Sequence, residues 1–280
     1  MKKLLLIGGI ILAFSLGVMF FHYNSAPVRL TSAEMKNPPK VSAKQAILVD
    51  AETGEVLFEK NADERGYPAS TTKIMTAMVT LDICRQIGAD LKTEVKIPKE
   101  AVGVEGSSLY LKQGEKKTLE DLLYGLMLRS GNDGAAALAE IMGGNQQHFV
   151  QLMNEKAEHL GCKDTQFVNP SGLFEDDHYT TARDLARISR EAMKNKTFRK
   201  IAGAKSWGTY SNKNKTVYQY DGATGIKIGF TEKSGRTLVA SAKREGTELI
   251  CVVLSDGNWF DDAYALMNYG FEMRGIENEK

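Results

Sequence analysis

Cysteine and histidine are scarce in this sequence, and their spacing excludes several kinds of site. Three of the 280 residues are cysteine and four are histidine. Cys84, Cys162 and Cys251 are too far apart for a C-x-x-C motif and too few for a disulfide framework, so we expect buried thiols. The histidines form no H-E-x-x-H pair, and no motif marks a Ser-His-Asp triad, although such a triad stays open. We therefore expect no metal and no other cofactor.

Excess charge and long apolar runs are also lacking over most of the chain. The 36 basic and 35 acidic residues leave a net charge of +1, and the lysine-rich stretches are short, so we expect no nucleic-acid partner. The exception is residues 4–21, an uncharged apolar run that follows two lysines. It predicts a signal peptide or N-terminal membrane anchor over residues 1–21. The protein is then secreted or anchored to the outer face of the cytoplasmic membrane.

The region after this run is interpreted as a linker. Residues 22–43 contain three of the six prolines, which is typical of a tether. Whether the apolar run is cleaved stays open, because the small-residue sites near positions 33 and 43 are only fair matches to a cleavage signal. We expect one folded domain over residues 44–274 and a short tail over residues 275–280.

Apolar periodicity predicts strands at both ends of this domain and helices in its middle. Residues 46–61 predict a β-hairpin, and residues 71–86 predict a helix that stops at Gly88. Four helical segments follow up to residue 195, and a last helix covers residues 261–273. The strand-like runs between them lie at 206–210, 217–220, 225–230, 237–243 and 249–254. A lone hairpin is marginally stable, so we expect one antiparallel sheet that includes the C-terminal strands, with a cleft beside a helical lobe.

Three short motifs fall where this cleft would lie. They are S-T-T-K at 70–73, S-G-N at 130–132 and K-I-G at 227–229. Ser70 is a poor nucleophile until a base removes its proton, and Lys73 lies one helical turn away on the same face. A lysine accepts a proton only when it is neutral. Burial and a second cation, Lys227, would both lower the pKa of Lys73.

Each of these residues also has a simpler structural explanation. Ser70 alone would cap a helix, and Lys73 alone would be a solvated helix lysine. Residues 130–132 resemble a helix end with a turn, and Lys227 would protect an edge strand from pairing. The order of the motifs favours catalysis, because S-x-x-K, S-x-N and a Lys-Gly strand are together the signature of penicillin-recognising serine enzymes.

The chain resembles low-molecular-mass penicillin-binding proteins of the serine-type D-alanyl-D-alanine carboxypeptidase family, from about Ala46 to Phe271. Further matching segments are GSSLYLKQGE, LLYGLMLRSGNDGAAALAE, FVNPSGL, YTTARDLARIS and ATGIKIGFTEKSGRTLVASA. The resemblance implies an α/β (α+β) fold of the β-lactamase/transpeptidase type: a five-stranded antiparallel sheet flanked by helices, plus a helical lobe. It also implies removal of the terminal D-alanine from peptidoglycan stem peptides that end in D-Ala-D-Ala, with β-lactam antibiotics as inhibitors.

The resemblance assigns a role to each motif residue. Ser70 would be the nucleophile that carries the acyl ester, Lys73 its general base, and Ser130 the proton relay to the departing amine. Asn132 would hold the substrate backbone amide, and Lys227 would face the terminal carboxylate. Water would then hydrolyse the acyl-enzyme.

The third motif departs from the family at one position. Ile228 stands where the family has Thr or Ser, whose hydroxyl helps to bind the substrate carboxylate. A hydrogen bond to a charged group is worth about 1.5–3 kcal/mol, so we expect weakened turnover. Thr231 lies on the same strand face as Lys227 and would supply part of the missing hydroxyl.

The backbone N–H groups of Ser70 and Phe230 would form the oxyanion hole.

Other functions stay open. Because Ile228 lacks the hydroxyl of the family's Thr or Ser, the protein could instead be a weakened homologue. Such a homologue would bind peptidoglycan peptides or β-lactams without efficient turnover. These motifs do not separate carboxypeptidase from D,D-transpeptidase or endopeptidase activity. A class A β-lactamase is disfavoured, because FVNPSGLFEDD does not match the loop that carries the deacylating glutamate of those enzymes.

Overall fold

Nine β-strands lie within residues 37–277, the part of the chain that the computed structural model describes. They are Gln45–Asp50 (β1), Val56–Lys60 (β2), Glu94–Lys96 (β3), Lys116–Thr118 (β4), Ser206–Trp207 (β5), Tyr210–Ser211 (β6), Ala223–Thr231 (β7), Gly235–Arg244 (β8) and Thr247–Leu254 (β9). Five of them form an antiparallel sheet in the order β2-β1-β9-β8-β7. The other four form two small sheets, β3 with β4 and β5 with β6.

Eight α-helices also lie within residues 37–277. They are Lys73–Ile87 (α1), Leu119–Tyr124 (α2), Asn132–Gly143 (α3), Gln146–His159 (α4), Ala182–Lys194 (α5), Lys196–Ala202 (α6), Thr216–Gln219 (α7) and Trp259–Met273 (α8). As predicted, α1 ends at Gly88, whose φ of 67° costs glycine little. A capping box of Thr118 and Asp121 starts α2. A π-helical turn over Gly125–Arg129 continues α2.

The main sheet joins the opening hairpin to the C-terminal strands, as predicted. β1 lies between β2 and β9, and its alternate side chains enter two different cores. Ile47 and Val49 pack with α1 and α5, whereas Ala46 and Leu48 pack with α8. Helices therefore cover both faces of the sheet. The three cysteines are buried free thiols, as predicted.

The strand prediction for residues 217–220 was wrong. The side chain of Asn214 accepts a hydrogen bond from the backbone N–H of Thr216 at 3.1 Å and starts the short helix α7 instead. Val217 and Tyr220 are then both buried, three residues apart. The sheet of β3 and β4 was not predicted, because three-residue strands are too short to show a period.

The predicted domain start at residue 44 lies inside packed structure. Ser42 Oγ lies 2.5 Å from Asp256 Oδ1 and 2.8 Å from Asp262 Oδ2, and Ala43 is fully buried. Residues 1–36 and 278–280, which include the predicted signal or anchor, most of the linker and half of the tail, lie outside the described residues. Among the described helices, none has both the length and the apolar character needed to cross a bilayer.

Candidate active site

Ser70 lies on a tight 3₁₀ turn that leads directly into α1. The hydroxyls of Thr71 and Thr237 both donate to the carbonyl oxygen of Pro68, at 2.6 and 3.1 Å. Thr237 lies on β8, so its bond ties the turn to the main sheet, whereas the bond from Thr71 lies within the turn. The Ser70 side chain caps neither the turn nor α1. Its Oγ lies instead 2.9 Å from Lys73 Nζ, so the capping explanation does not hold.

The amine of Lys73 is fully buried and has three polar neighbours. Nζ lies 2.9 Å from Ser70 Oγ, 2.7 Å from Asn132 Oδ1 and 2.6 Å from the carbonyl oxygen of Ser171. Carbonyl oxygens only accept, so a neutral amine gives its two hydrogens to Asn132 and Ser171. Its lone pair then faces Ser70, which donates its hydroxyl hydrogen. This is the arrangement that a general base requires.

Burial is the main reason that the Lys73 amine can be neutral. Removal from water holds the pKa of Lys73 well below the usual lysine value, and the positive charges of Lys227 and Lys213 lower it further. The negative charge of Asp133 acts in the opposite direction. The predicted effect of Lys227 is thus present but secondary. The effect of Lys213, which donates to Ser107 Oγ at 3.3 Å, was not predicted from the sequence.

Ser130 and Lys227 form a second contact pair. Ser130 ends the π-helical turn with a φ of 65°, and Lys227 Nζ donates to its Oγ at 3.0 Å. β7 is an edge strand, but Lys227 is only 1% exposed, so it is not a solvated residue that protects the edge. Burial and the charge of Lys213 lower the pKa of Lys227 to about 7. Its charge is therefore easily lost near neutral pH.

Asn132 and Asp133 fasten one wall of the site at the start of α3. Asn132 Nδ2 donates to the carbonyl oxygen of Glu105 at 2.7 Å, which leaves Oδ1 facing Lys73. The buried carboxylate of Asp133 accepts hydrogen bonds from two backbone N–H groups and one hydroxyl within residues 108–111. Sequence reasoning missed this role of Asp133.

The carbonyl group that contacts Lys73 belongs to an N-P-S-G loop. The Asn169 side chain accepts hydrogen bonds from the N–H groups of Ser171 and Gly172, which closes the loop. Gly172 has a φ of 83°, and a Cβ there would overlap the carbonyl oxygen of Ala69. Sequence analysis identified this segment but assigned it no role, because any residue type can supply a backbone carbonyl group. The Asn-Pro turn signal was the available clue.

A cavity of about 630 Å³ opens beside Ser70. Its lining residues are Ser70, Glu105, Gly106, Ser107, Asn132, Gly172, Leu173, Phe174, Phe230, Thr231 and Glu232. Thr231 lies where it was predicted, but its hydroxyl is bonded to Ser234 at 2.9 Å in the turn between β7 and β8. Ile228 packs instead against the apolar cluster under α8. Compensation by Thr231 therefore stays a prediction, and it requires the Thr231 hydroxyl to leave Ser234.

Comparison with known proteins assigns the chain to a family. Residues 32–258 match the peptidase family described as D-alanyl-D-alanine carboxypeptidase. The chain belongs to this family. Among its carboxypeptidase relatives, DacF of Bacillus subtilis is 35% identical over 251 residues, which cover 85% of this chain and 64% of DacF. The carboxypeptidase of Streptomyces sp. strain K15 is 35% identical over 270 residues, which cover 87% of this chain and 92% of the relative.

Solved structures of the carboxypeptidase family share the fold. The Streptomyces K15 DD-transpeptidase matches with a TM-score of 0.79 and 35% identity over 85% of this chain and 100% of that chain. A D-alanyl-D-alanine carboxypeptidase from Mycobacterium tuberculosis H37Rv matches with a TM-score of 0.78 and 31% identity over 87% of this chain and 96% of that chain. The predicted family and the predicted sheet-and-helix fold are both confirmed.

Proposed function

We propose that this protein removes the terminal D-alanine of peptidoglycan stem peptides outside the cytoplasmic membrane, to which residues 1–21 deliver it. The observation that carries the proposal is the 2.9 Å contact between Ser70 Oγ and the buried amine of Lys73. A nucleophile with an adjacent neutral base, beside a cavity, is the arrangement that acyl transfer needs. The family and the names of the relatives support the same reaction.

In the proposed reaction, Ser70 attacks the carbonyl carbon of the penultimate D-alanine while its proton passes to Lys73. The backbone N–H groups of Ser70 and Phe230 bind the negative oxygen that forms. Ser130 relays this proton from Lys73 to the departing amine, the peptide bond breaks, and D-alanine leaves. Water then hydrolyses the Ser70 ester and restores the free hydroxyl.

Two further residues bind the peptide in this proposal. The charged form of Lys227 pairs with the terminal carboxylate. Asn132 uses one Nδ2 hydrogen for Glu105, and its other Nδ2 hydrogen remains for a carbonyl oxygen of the peptide.

Mass spectrometry of a diacyl-L-Lys-D-Ala-D-Ala peptide tests this function directly. We expect loss of one alanine, inhibition by penicillin, and no reaction with the Ser70→Ala variant. An intact peptide, together with no penicillin adduct on the wild-type protein, would overturn the proposal.

Two alternatives have specific observations in their favour. The Streptomyces relative is named a DD-transpeptidase, so the same assay with added glycine tests transfer of the acyl group to an amine. Ile228 favours a weakened homologue, which would form a penicillin adduct on Ser70 but release no alanine from the peptide.

A further inference from the structure

A second cavity, with a volume of about 160 Å³, lies next to the turn that joins β7 to β8. Thr231 and Glu232 line the cavity of the candidate active site, whereas the next two residues, Lys233 and Ser234, line this second one. The two cavities have no lining residue in common. The proposed reaction at Ser70 therefore assigns no role to the second cavity.

Basic side chains surround this second cavity, which we call the Gln45 pocket. It is lined by Lys44, Gln45, Arg65 and Lys233 together with uncharged residues, and no acidic side chain of the described residues lines it. Arg65 is paired with Asp164 at 2.9 Å. Lys44 and Lys233 are exposed and have no carboxylate partner within residues 37–277. Two positive charges without a counter-charge favour a negatively charged ligand.

The side chain of Gln45 distinguishes this pocket from an ordinary basic surface. Gln45 lines the pocket and is only 7% exposed, yet its Oε1 is buried and has no hydrogen-bond partner among the described residues. Buried polar atoms without a partner are rare in folded proteins. A half-turn of the amide exchanges its oxygen and nitrogen and breaks no hydrogen bond of Oε1, so the amide can offer an N–H group to a ligand. A bound anion would accept this hydrogen bond.

The size and the donors of the Gln45 pocket match a phosphate group. Its volume equals that of about five water molecules at about 30 Å³ each, and a phosphate group has five heavy atoms. Phosphate carries up to two negative charges, and its oxygens accept hydrogen bonds in several directions. Two ammonium groups, a guanidinium group and an amide can therefore each contact a different oxygen. A carboxylate, with one charge and two oxygens, would leave some of these donors unused.

We propose that the Gln45 pocket binds a phosphate group, which belongs either to free phosphate or to a lipid headgroup. Lys44 and Lys233 bind its negative charge, and the Gln45 amide donates a hydrogen bond to one of its oxygens. The headgroup is a possible source because Lys44 directly follows residues 37–43, through which the domain is joined to the apolar run at residues 4–21. Phosphate binding at this pocket does not depend on the reaction at Ser70.

Isothermal titration calorimetry of the full chain measures this binding, in a neutral detergent and a phosphate-free buffer of constant ionic strength. The probes are inorganic phosphate and glycerophosphoglycerol, which is the headgroup of phosphatidylglycerol without its acyl chains. We expect one phosphate site per chain and about tenfold weaker binding of acetate. Tighter binding of glycerophosphoglycerol than of inorganic phosphate assigns the pocket to a lipid headgroup, and the reverse order assigns it to free phosphate. Equal affinities for acetate and phosphate would overturn the proposal.

Two variants locate the binding at the Gln45 pocket. Lys44→Gln/Lys233→Gln weakens phosphate binding by about tenfold. Gln45→Met keeps the length of the side chain but removes the amide, and it weakens binding by about fivefold. The thermal midpoint without phosphate shows that each variant is folded.

The matched control is Lys92→Gln/Lys96→Gln, which removes the same charge from two exposed lysines that do not line the pocket. We expect it to keep the wild-type affinity. No binding to the wild-type protein, or wild-type affinity in Lys44→Gln/Lys233→Gln, would overturn the proposal. Equal weakening in the control would overturn it as well, because the effect would then come from net charge alone.

The buried lysines of the candidate active site are the other place where an anion could bind. Because the two cavities share no lining residue, we expect phosphate to leave the rate of penicillin labelling at Ser70 unchanged. Labelling that slows in proportion to the occupancy of the phosphate site would place the ion beside Lys73 and Lys227 and overturn the assignment to the Gln45 pocket.

Discussion

Lys73 and Lys227 are both buried cations, but the proposed reaction needs them in opposite states. Lys73 must be neutral to accept the proton of Ser70, whereas Lys227 must be charged to bind a carboxylate. Burial lowers the pKa of both amines. The charges of Lys227 and Lys213 lower the pKa of Lys73 further, and the charge of Lys213 also lowers the pKa of Lys227. The proposed reaction therefore requires a pH at which Lys73 is neutral while Lys227 is charged.

The alkaline side of this range gives the first prediction. Lys227 is charged below its pKa of about 7 and loses its proton as the pH rises through that value. We expect kcat/KM of the wild-type protein, measured from pH 5 to 9, to fall above about pH 7. Lys227→Arg has a lower maximum but keeps its charge throughout, so its alkaline fall disappears. The same fall in both proteins would assign it to another group.

A pair of glycines gives the second prediction. Gly172 and Gly103 both have positive φ, but a Cβ meets the carbonyl oxygen of Ala69 at Gly172 and open space at Gly103. Gly103→Ala therefore costs only backbone strain, about 1–2 kcal/mol. Gly172→Ala also displaces the turn of Ser70, and we expect penicillin acylation to slow by more than tenfold. Acylation and urea unfolding are measured on both variants, and equal acylation rates would contradict the prediction.

At the scale of elements, long periodic segments were predictable and segments fixed by single side-chain bonds were not. α1 and the hairpin of β1 and β2 show their periods over many residues, and both were predicted. α7 begins where the Asn214 side chain accepts a hydrogen bond from the backbone N–H of Thr216. The apolar residues nearby alternate as in a strand, so the sequence pattern gives no sign of this bond. The site divides in the same way. Ser70, Lys73 and Lys227 carry their chemistry in their side chains, whereas Ser171 acts through a carbonyl oxygen that any residue has.

The loop over residues 105–111 gives the third prediction. Asp133→Ala removes the hydrogen bonds that hold this loop to the Asp133 carboxylate. Buried N–H groups of the loop are then unpaired, which lowers the free energy of unfolding by about 3 kcal/mol. The loop lines the cavity but holds no reacting atom, so KM rises more than kcat falls. Urea unfolding and steady-state kinetics check both effects. The control is Asp176→Ala, which removes an exposed carboxylate. An equal decrease in the free energy of unfolding in this variant would contradict the explanation by lost hydrogen bonds to Asp133.

At the scale of the whole molecule, the turn that carries Ser70 depends on the completed sheet. Thr237 on β8 holds the turn through Pro68, and β8 is positioned by β9, which pairs with β1 from the other end of the domain. Contacts this distant in sequence form only when the chain ends have come together. Stability of the N-terminal segment and reactivity of Ser70 are therefore linked through the sheet.

A pair of truncated chains tests this link. A chain that begins at residue 37 keeps Ser42 beside Asp256 and Asp262, and it keeps the buried Ala43. We expect its thermal midpoint and penicillin labelling to equal those of the full chain. A chain that begins at residue 45 loses these contacts and leaves two buried carboxyl groups without their hydroxyl donor, which costs about 2–4 kcal/mol. Its thermal midpoint falls, and labelling is lost at the temperature at which the sheet opens. Equal midpoints for the two truncated chains would mean that residues 37–44 do not stabilise the domain.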